Sequence, residues 1–467
     1  MDHDYAKGLG AAAKWERRII RSSFILYLLF QINAAFHHGS FGQDFPGHRA
    51  IMSYTVPDIW KAITTLIPYQ TDPPMMYVLG ALVYRLSRGV HYFELIALIY
   101  VALNAVALWY LYRLLCALIS QPLFRVSCMM LILFLPVFMI QAEVYAGDGL
   151  AFPLFIFAIY NLYRVRYAPT KNEFWRSAIL LAVSLTLGIT VKFTFAAQIA
   201  TAIIALAIFG WDRCHSWTRL RSAMLLILIL PGSVAGFYIY KLKATHVNTM
   251  HLFEYGSEFT LMDFFVVHKA DKHVLDAPPY NEVTPGSNNP KDYNLLARGR
   301  FSYPALLQLG IFTDLVNVYQ YDPTDSYFGT RSAIHQRRMR RAMRSSVIIF
   351  FSFLILTPIT IGIYLWRGII RRDAGFAFLA ALSVLGLVWF FNIVAFFPIV
   401  PAYTGGHWTP RLIMPALLTF FVVSATMINC FLAKRSMAWS VPICLLFLYQ
   451  SFVHLSFLWP WGVMKPY

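Results

Sequence analysis

Apolar runs recur from residue 20 to residue 458, separated by short polar stretches. Most reach roughly 18 residues or more, the length a helix needs to cross the hydrocarbon of a bilayer. The runs are continuous, whereas a closed membrane barrel would show short segments of alternating polarity. Spans are predicted at 20–38, 93–112, 124–141, 149–163, 222–240, 346–366, 374–398, 411–433 and 438–458. The run 177–211 is too long for one span and carries Lys192 at its middle, so it reads as two short helices that meet at one face. The predicted fold class is an all-α polytopic membrane protein with about eleven transmembrane helices.

Between the first spans, 39–94 forms an outer loop with two amphipathic pieces, 47–67 and 73–88, expected to lie at the interface as helices. A second outer loop, 241–345, is rich in turn residues (APPYNEVTPGSNNPKDYN) and then partly apolar (FSYPALLQLGIFTDLVNVYQYDP). The chain therefore divides into a transmembrane module at 1–240, an extracytoplasmic loop with interfacial helices at 241–345 and a set of C-terminal transmembrane helices at 346–467.

Charge orients this arrangement. Of 467 residues, 13% are charged, about half the share in soluble domains. The net charge of +17 would suggest nucleic acid in a soluble protein. Here most lysines and arginines sit in short loops, where they set topology, and no nucleic-acid-binding module is visible. Arg113 and Arg125, the group Arg164, Arg166, Lys171 and Arg176, Arg213 with Arg219 and Arg221, Arg367 with Arg371 and Arg372, and Lys434 with Arg435 all mark cytoplasmic loops. Lys14, Arg17, Arg18 and Arg21 precede the first run, which reads as an uncleaved anchor.

One segment resists the rule. RSAIHQRRMRRAMR, 331–344, has six arginines, yet the span order puts it outside. It reads as an amphipathic helix on the outer leaflet, where arginines meet lipid phosphates. The alternative moves it inside and makes 303–321 a span containing Asp314. The five cysteines, Cys116, Cys128, Cys214, Cys430 and Cys444, lie in or beside apolar runs without a CxxC pair, and read as small packing residues.

No P-loop, HExxH or GxGxxG occurs. The chemistry must come from ionisable groups that the topology collects at the outer ends of spans, where polar groups are costly and so suggest a site. Asp44, in SFGQDFPGHRA with His48 and Arg49, follows the first span; it is either a turn or capping residue or a general base. Glu143 and Asp148, in QAEVYAGDGLAF, flank another outer turn. Asp148 could cap the next helix, hold a hydroxyl or support a cation. Lys192, in LGITVKFTFA, either snorkels or donates to a phosphate. Arg411, in YTGGHWTPRLIMP after Tyr403, His407 and Trp408, is an interfacial anchor or a bidentate phosphate ligand. His37, His38, His48 and His407 with Asp44 show no tight ligand spacing, so no metal site is assigned.

In order, five stretches resemble the GT-C superfamily of polytopic glycosyltransferases, and within it the aminoarabinose transferase and protein O-mannosyltransferase families. GQDFPGHRA is similar to the first outer loop with its acid, and TDPPMMYVLGALVYRLSRG to the helix that follows. EVYAGDGLAFPL is similar to the outer turn with an aspartate before a helix, LGITVKFTFA to the glycine-to-lysine stretch, and PRLIMPALL to the start of a late span. Asp72 stands where those families often have His or Lys before the prolines. The resemblance implies a hexosyl- or pentosyltransferase that takes sugar from a polyprenyl-phosphate donor with inversion, outside the membrane. Asp44 would be the base. Lys192, Arg411 and His407 would hold the donor phosphate, and Asp148, Glu143, His48, Arg49 and Tyr403 the sugar or acceptor. The acceptor is a lipid, glycan or protein. No cofactor is implied, although a divalent cation stays open, and the expected setting is a bacterial inner membrane with the site facing the periplasm. The rival reading is a transporter or flippase, but the two matched halves with broken helices that transporters show are not visible in the sequence.

Overall fold

The computed structural model describes residues 14–38, 56, 59–60, 74–141, 147–211, 216–244, 307–308, 311–312, 333–396, 410–433 and 437–463. Among these residues there is no strand. The helices are α1 (Lys14–His38), α2 (Met75–Leu86), α3 (Tyr92–Leu118), α4 (Pro122–Leu133), α5 (Pro136–Gln141), α6 (Gly147–Arg166), α7 (Lys171–Val191), α8 (Ala196–Trp211), α9 (Trp217–Ala244), α10 (Ala333–Leu365), α11 (Ala377–Phe396), α12 (Pro410–Leu432) and α13 (Met437–Val463).

Nine helices among the described residues are long and apolar enough to cross a membrane. The protein is an all-α, multi-pass integral membrane protein. The other two expected spans, 124–141 and 149–163, are helical as well. The first is broken at Phe134–Leu135 ahead of Pro136, where the ring opens α5 at its first position. The second, α6, is buried along most of its length, with α7 and α3 packed against it.

Contacts sort the helix ends into two sets. At one end, Arg166 of α6 donates to the Ala374 carbonyl (3.2 Å) in the link before α11, and Arg372 of that link lies over the Trp211 ring of α8. At the same end the α3–α4 turn is held by Asn429 of α12, whose Oδ1 accepts from Ser120 Oγ and Gln121 N, each at 3.3 Å. This end carries the short cationic loops. α1 enters the bundle here through Glu16 and leaves at the opposite end, where Gln31 donates to the Met139 carbonyl of α5 (2.8 Å). The opposite end therefore holds the exits of α1, α5, α7 and α11 and the entries of α6, α8, α10 and α12.

Local chemistry accounts for several of these turns. Thr170 caps α7 by accepting from Glu173 N (3.2 Å), half of a capping box that starts the helix right after the Tyr167–Pro169 link. Between α2 and α3, Arg88, Gly89 and His91 all take positive φ, and Gly89 N closes on the Tyr84 carbonyl at 2.9 Å. A side chain at 89 would strain that left-handed backbone. Arg85 of α2 clasps the Val56 carbonyl through Nε (2.8 Å) and Nη2 (2.5 Å), so the first outer loop is tied to α2.

The arginine-rich segment 331–344 is placed by α10. It is not a separate element. From Ala333 it runs without a break into the apolar stretch, a helix of 33 residues that ends at the cationic end. The arginines thus enter from the opposite end, as the expected span order requires.

Candidate active site

The 177–211 run folds as two helices that meet at Lys192. α7 stops at Val191, Lys192 is extended (φ −151°, ψ 123°), and a 3₁₀ turn over Phe193–Phe195 leads into α8. The break is made by packing. Gly188 has no side chain, and the Phe195 ring occupies that space; a Cβ there would come within 2.3 Å of a ring carbon. Phe195 is fully buried and meets Trp389 of α11 edge-on at 5.1 Å. Phe155 of α6 meets the same indole at 5.1 Å. One aromatic cluster therefore fixes α6, α11 and the turn after Lys192 relative to one another.

Above this cluster, the Lys192 ammonium is paired with Asp148 Oδ1. Both side chains are largely buried, with 13% and 10% of their surface exposed. The backbones meet closely as well: a Cβ on Gly147 would lie 3.2 Å from the Val191 carbonyl oxygen. Asp148 is the second residue of α6 and Lys192 closes α7. An anion at a helix N-terminus and a cation at a helix C-terminus are each favoured by the backbone dipoles. Two antiparallel helices thus present complementary ends, and the pair forms where they touch. Asp148 thus faces the Lys192 ammonium where the two helices touch.

Asn104 of α3 completes the scaffold. Its Nδ2 donates to the Gly149 carbonyl (3.0 Å) and to the Tyr100 carbonyl (2.9 Å), and it is buried. It holds the first turn of α6, and with it Asp148, against α3. Sequence reasoning passed over it. The signal was a lone asparagine in the apolar stretch VALNAVALW, which the rule on intramembrane polar groups would have flagged had it not been confined to charges. Replacing Asn104 with Leu leaves the Gly149 carbonyl without this donor. Thermal unfolding in detergent is expected to show a loss of about 1–3 kcal/mol.

Asp148 and Lys192 are the two expected site residues that the described side chains bring together. Arg411 lies in the first turn of α12, which packs against α5 and α6, so its backbone starts from the same end of the bundle. Asp44, His48, Arg49, Glu143, Tyr403 and His407 lie outside the described residues, and the Arg411, His37 and His38 side chains are likewise undescribed. By chain order, Asp44 comes six residues after α1 ends at His38, and Glu143 two residues after α5 ends at Gln141. Tyr403 and His407 fall between α11 and α12. Among the described residues, no three of His, Cys, Asp and Glu are grouped to hold a metal ion.

No protein-family model matches the chain, and no curated protein sequence matches it. Solved structures do. The oligosaccharyltransferase of Archaeoglobus fulgidus, crystallised with zinc and sulfate, aligns at 12% identity and a TM-score of 0.49 over 95% of this chain and 53% of that one. Its apo form aligns at 12% identity and a TM-score of 0.48, over 96% and 55%. ArnT from Cupriavidus metallidurans in the apo state aligns at 13% identity and a TM-score of 0.39, over 90% and 78%. The chain spans about half the length of the oligosaccharyltransferase. At these scores the likeness assigns no activity to it.

Proposed function

We propose that this protein is a glycosyltransferase that moves a sugar from a polyprenyl-phosphate donor to an acceptor hydroxyl at the Lys192 end of the bundle. The observation that carries this reading is the buried Asp148–Lys192 pair at a helix interruption. It lies at the end from which the segments holding Asp44, Glu143, His407 and Arg411 emerge. Cationic loops gather at the other end, and the positive-inside tendency supports a site on the extracytoplasmic face.

The chemistry follows from the groups. The acceptor oxygen attacks the anomeric carbon as its proton passes to Asp44. The bond from that carbon to the phosphate oxygen breaks, and polyprenyl phosphate leaves with the bonding electrons. A single displacement inverts the anomeric centre and requires one base. An ammonium has three donors. Asp148 takes one from Lys192 and aims the group, which leaves others for the phosphate. Lys192, with Arg411 at the start of α12, would then offset the negative charge that builds on the leaving oxygen. Aligned donors at a water-poor site favour the transition state more than the solvated ground state.

The test is product chemistry. Reconstituted protein is offered a panel of labelled polyprenyl-phosphate hexoses and pentoses with native membrane extract. Label is expected in a lipid, glycan or protein fraction, with the anomeric configuration inverted. Retained configuration would overturn the single displacement. Substrate crossing sealed vesicles with its glycosyl bond intact would replace the reading with transport.

A further inference from the structure

The arginines at the start of α10 have no part in that chemistry. Arg341 and Arg344 are exposed, and they head a face that continues down the helix. Residues 341, 344, 348, 351, 355 and 359 recur at spacings of three and four, so they share one side. The four apolar members are open: Ile348 is 63% exposed, Phe351 46%, Ile355 64% and Ile359 55%. The rotation of the helix is fixed from its other side. Gln308 Nε2 donates to the Met343 carbonyl and Ser346 Oγ, each at 3.2 Å, and Gln450 of α13 reaches the Ala342 carbonyl at 3.4 Å. The arginine face therefore cannot turn inward without breaking these bonds.

α13 supplies a second wall. Leu445, Tyr449 and Phe452 are exposed on α13 at the same spacing. The two faces are joined where the Tyr449 hydroxyl lies 3.4 Å from Nε and Nη2 of Arg341, with the guanidinium over its ring. The result is an apolar surface shared by two helices and topped by two guanidinium groups. Arg337 and Arg340 belong to the same helix. Cations at this end run against the positive-inside tendency. Exposed guanidinium groups above an apolar wall suit a lipid headgroup, because guanidinium matches the geometry of a phosphate.

We propose that the α10–α13 face binds an anionic phospholipid of the leaflet at the Lys192 end. Its phosphate sits on Arg341 and Arg344, and its acyl chains lie along Ile348, Phe351, Leu445 and Phe452. The site is separate from the Asp148–Lys192 pair and does not depend on the transfer reaction.

The full-length protein in detergent is titrated with phosphatidylglycerol, phosphatidylcholine and undecaprenyl phosphate, and bound lipid is counted by native mass spectrometry. Phosphatidylglycerol should be retained in preference to phosphatidylcholine. Each arginine near a membrane surface changes such binding by roughly fivefold, so Arg341→Gln with Arg344→Gln should weaken retention roughly 30-fold. Arg219→Gln with Arg221→Gln, at the cationic end, should leave it unchanged. If the double variant fails to fold, Arg341→Gln alone should show the fivefold loss. Equal retention of the two phospholipids, or an equal loss in the control pair, would overturn the site. Loss of undecaprenyl phosphate rather than phosphatidylglycerol from the Arg341→Gln with Arg344→Gln variant would overturn its assignment to a bilayer phospholipid.

Discussion

Lys192→Met should lower sugar transfer by about 100- to 1,000-fold at saturating donor, the usual effect of removing one preorganised electrostatic contact to a developing anion. Methionine keeps the length and apolar stem of the side chain, so the Gly188–Phe195 break that shapes the site is left in place. Asp148→Asn should cost less if Asp148 acts on the phosphate through Lys192. Its amide still accepts a hydrogen bond from the ammonium but no longer balances its charge. The transposed variant, Asp148→Lys with Lys192→Asp, separates structure from function. If the pair is only a clasp between α6 and α7, exchanging its charges should recover most of the stability and the transfer, less the helix-dipole contribution of the native orientation. If Lys192 serves the leaving phosphate, stability can recover but transfer should not. Initial rates on folded, monodisperse samples decide this, and a near-wild-type rate for Lys192→Met would sink the role.

Breaking the ion pair at the other end of the bundle should cost stability without touching the reaction. Glu16 is fully buried in α1. It is gripped by Arg125 of α4 through Nε–Oε1 (2.5 Å) and Nη2–Oε2 (2.6 Å), while the Tyr112 hydroxyl donates to Oε1 (3.0 Å). Arg125 Nη1 also donates to the Ile119 carbonyl (2.7 Å), which ends α3. One carboxylate thus joins α1, α3 and α4. Glu16→Leu leaves the guanidinium buried and facing apolar carbon, a loss of about 3–5 kcal/mol. Glu16→Leu combined with Arg125→Met should recover most of that, because desolvating a matched pair roughly cancels its attraction. Denaturant or thermal unfolding in detergent measures both. A double variant as unstable as the single would show that the charges themselves, rather than an unpaired remnant, hold the three helices.

These two pairs show what the sequence could and could not reveal. The break at Lys192 was legible because an apolar run of that length exceeds one bilayer crossing and carries a cation at its midpoint. The partner of that lysine was not, since Asp148 and Lys192 are 44 residues apart and only the packing of α6 on α7 joins them. Glu16 and Arg125 were misleading in the opposite way. Each lies near a span end, where charge ordinarily reports topology, so nothing in either segment marks them as buried partners. The continuity of α10 was hidden by composition: an arginine run reads as a boundary, yet Arg, Ala and Met are strong helix formers and no Gly or Pro separates 333 from 357. Conversely, Pro136 did announce a break that hydropathy alone had smoothed into one span, 124–141. Asn104 did leave a mark, a lone asparagine in an apolar span, although the two backbone carbonyls it holds are encoded by no side-chain motif.

The most direct measurement is single-turnover transfer by the wild type and Asp44→Asn side by side, each loaded with the same labelled polyprenyl-phosphate sugar. Asp44→Asn should bind donor as the wild type does yet transfer about 100- to 10,000-fold more slowly, the range that a positioned base contributes. Equal rates would contradict the account, because the reaction would then draw its base from somewhere other than the loop that follows α1.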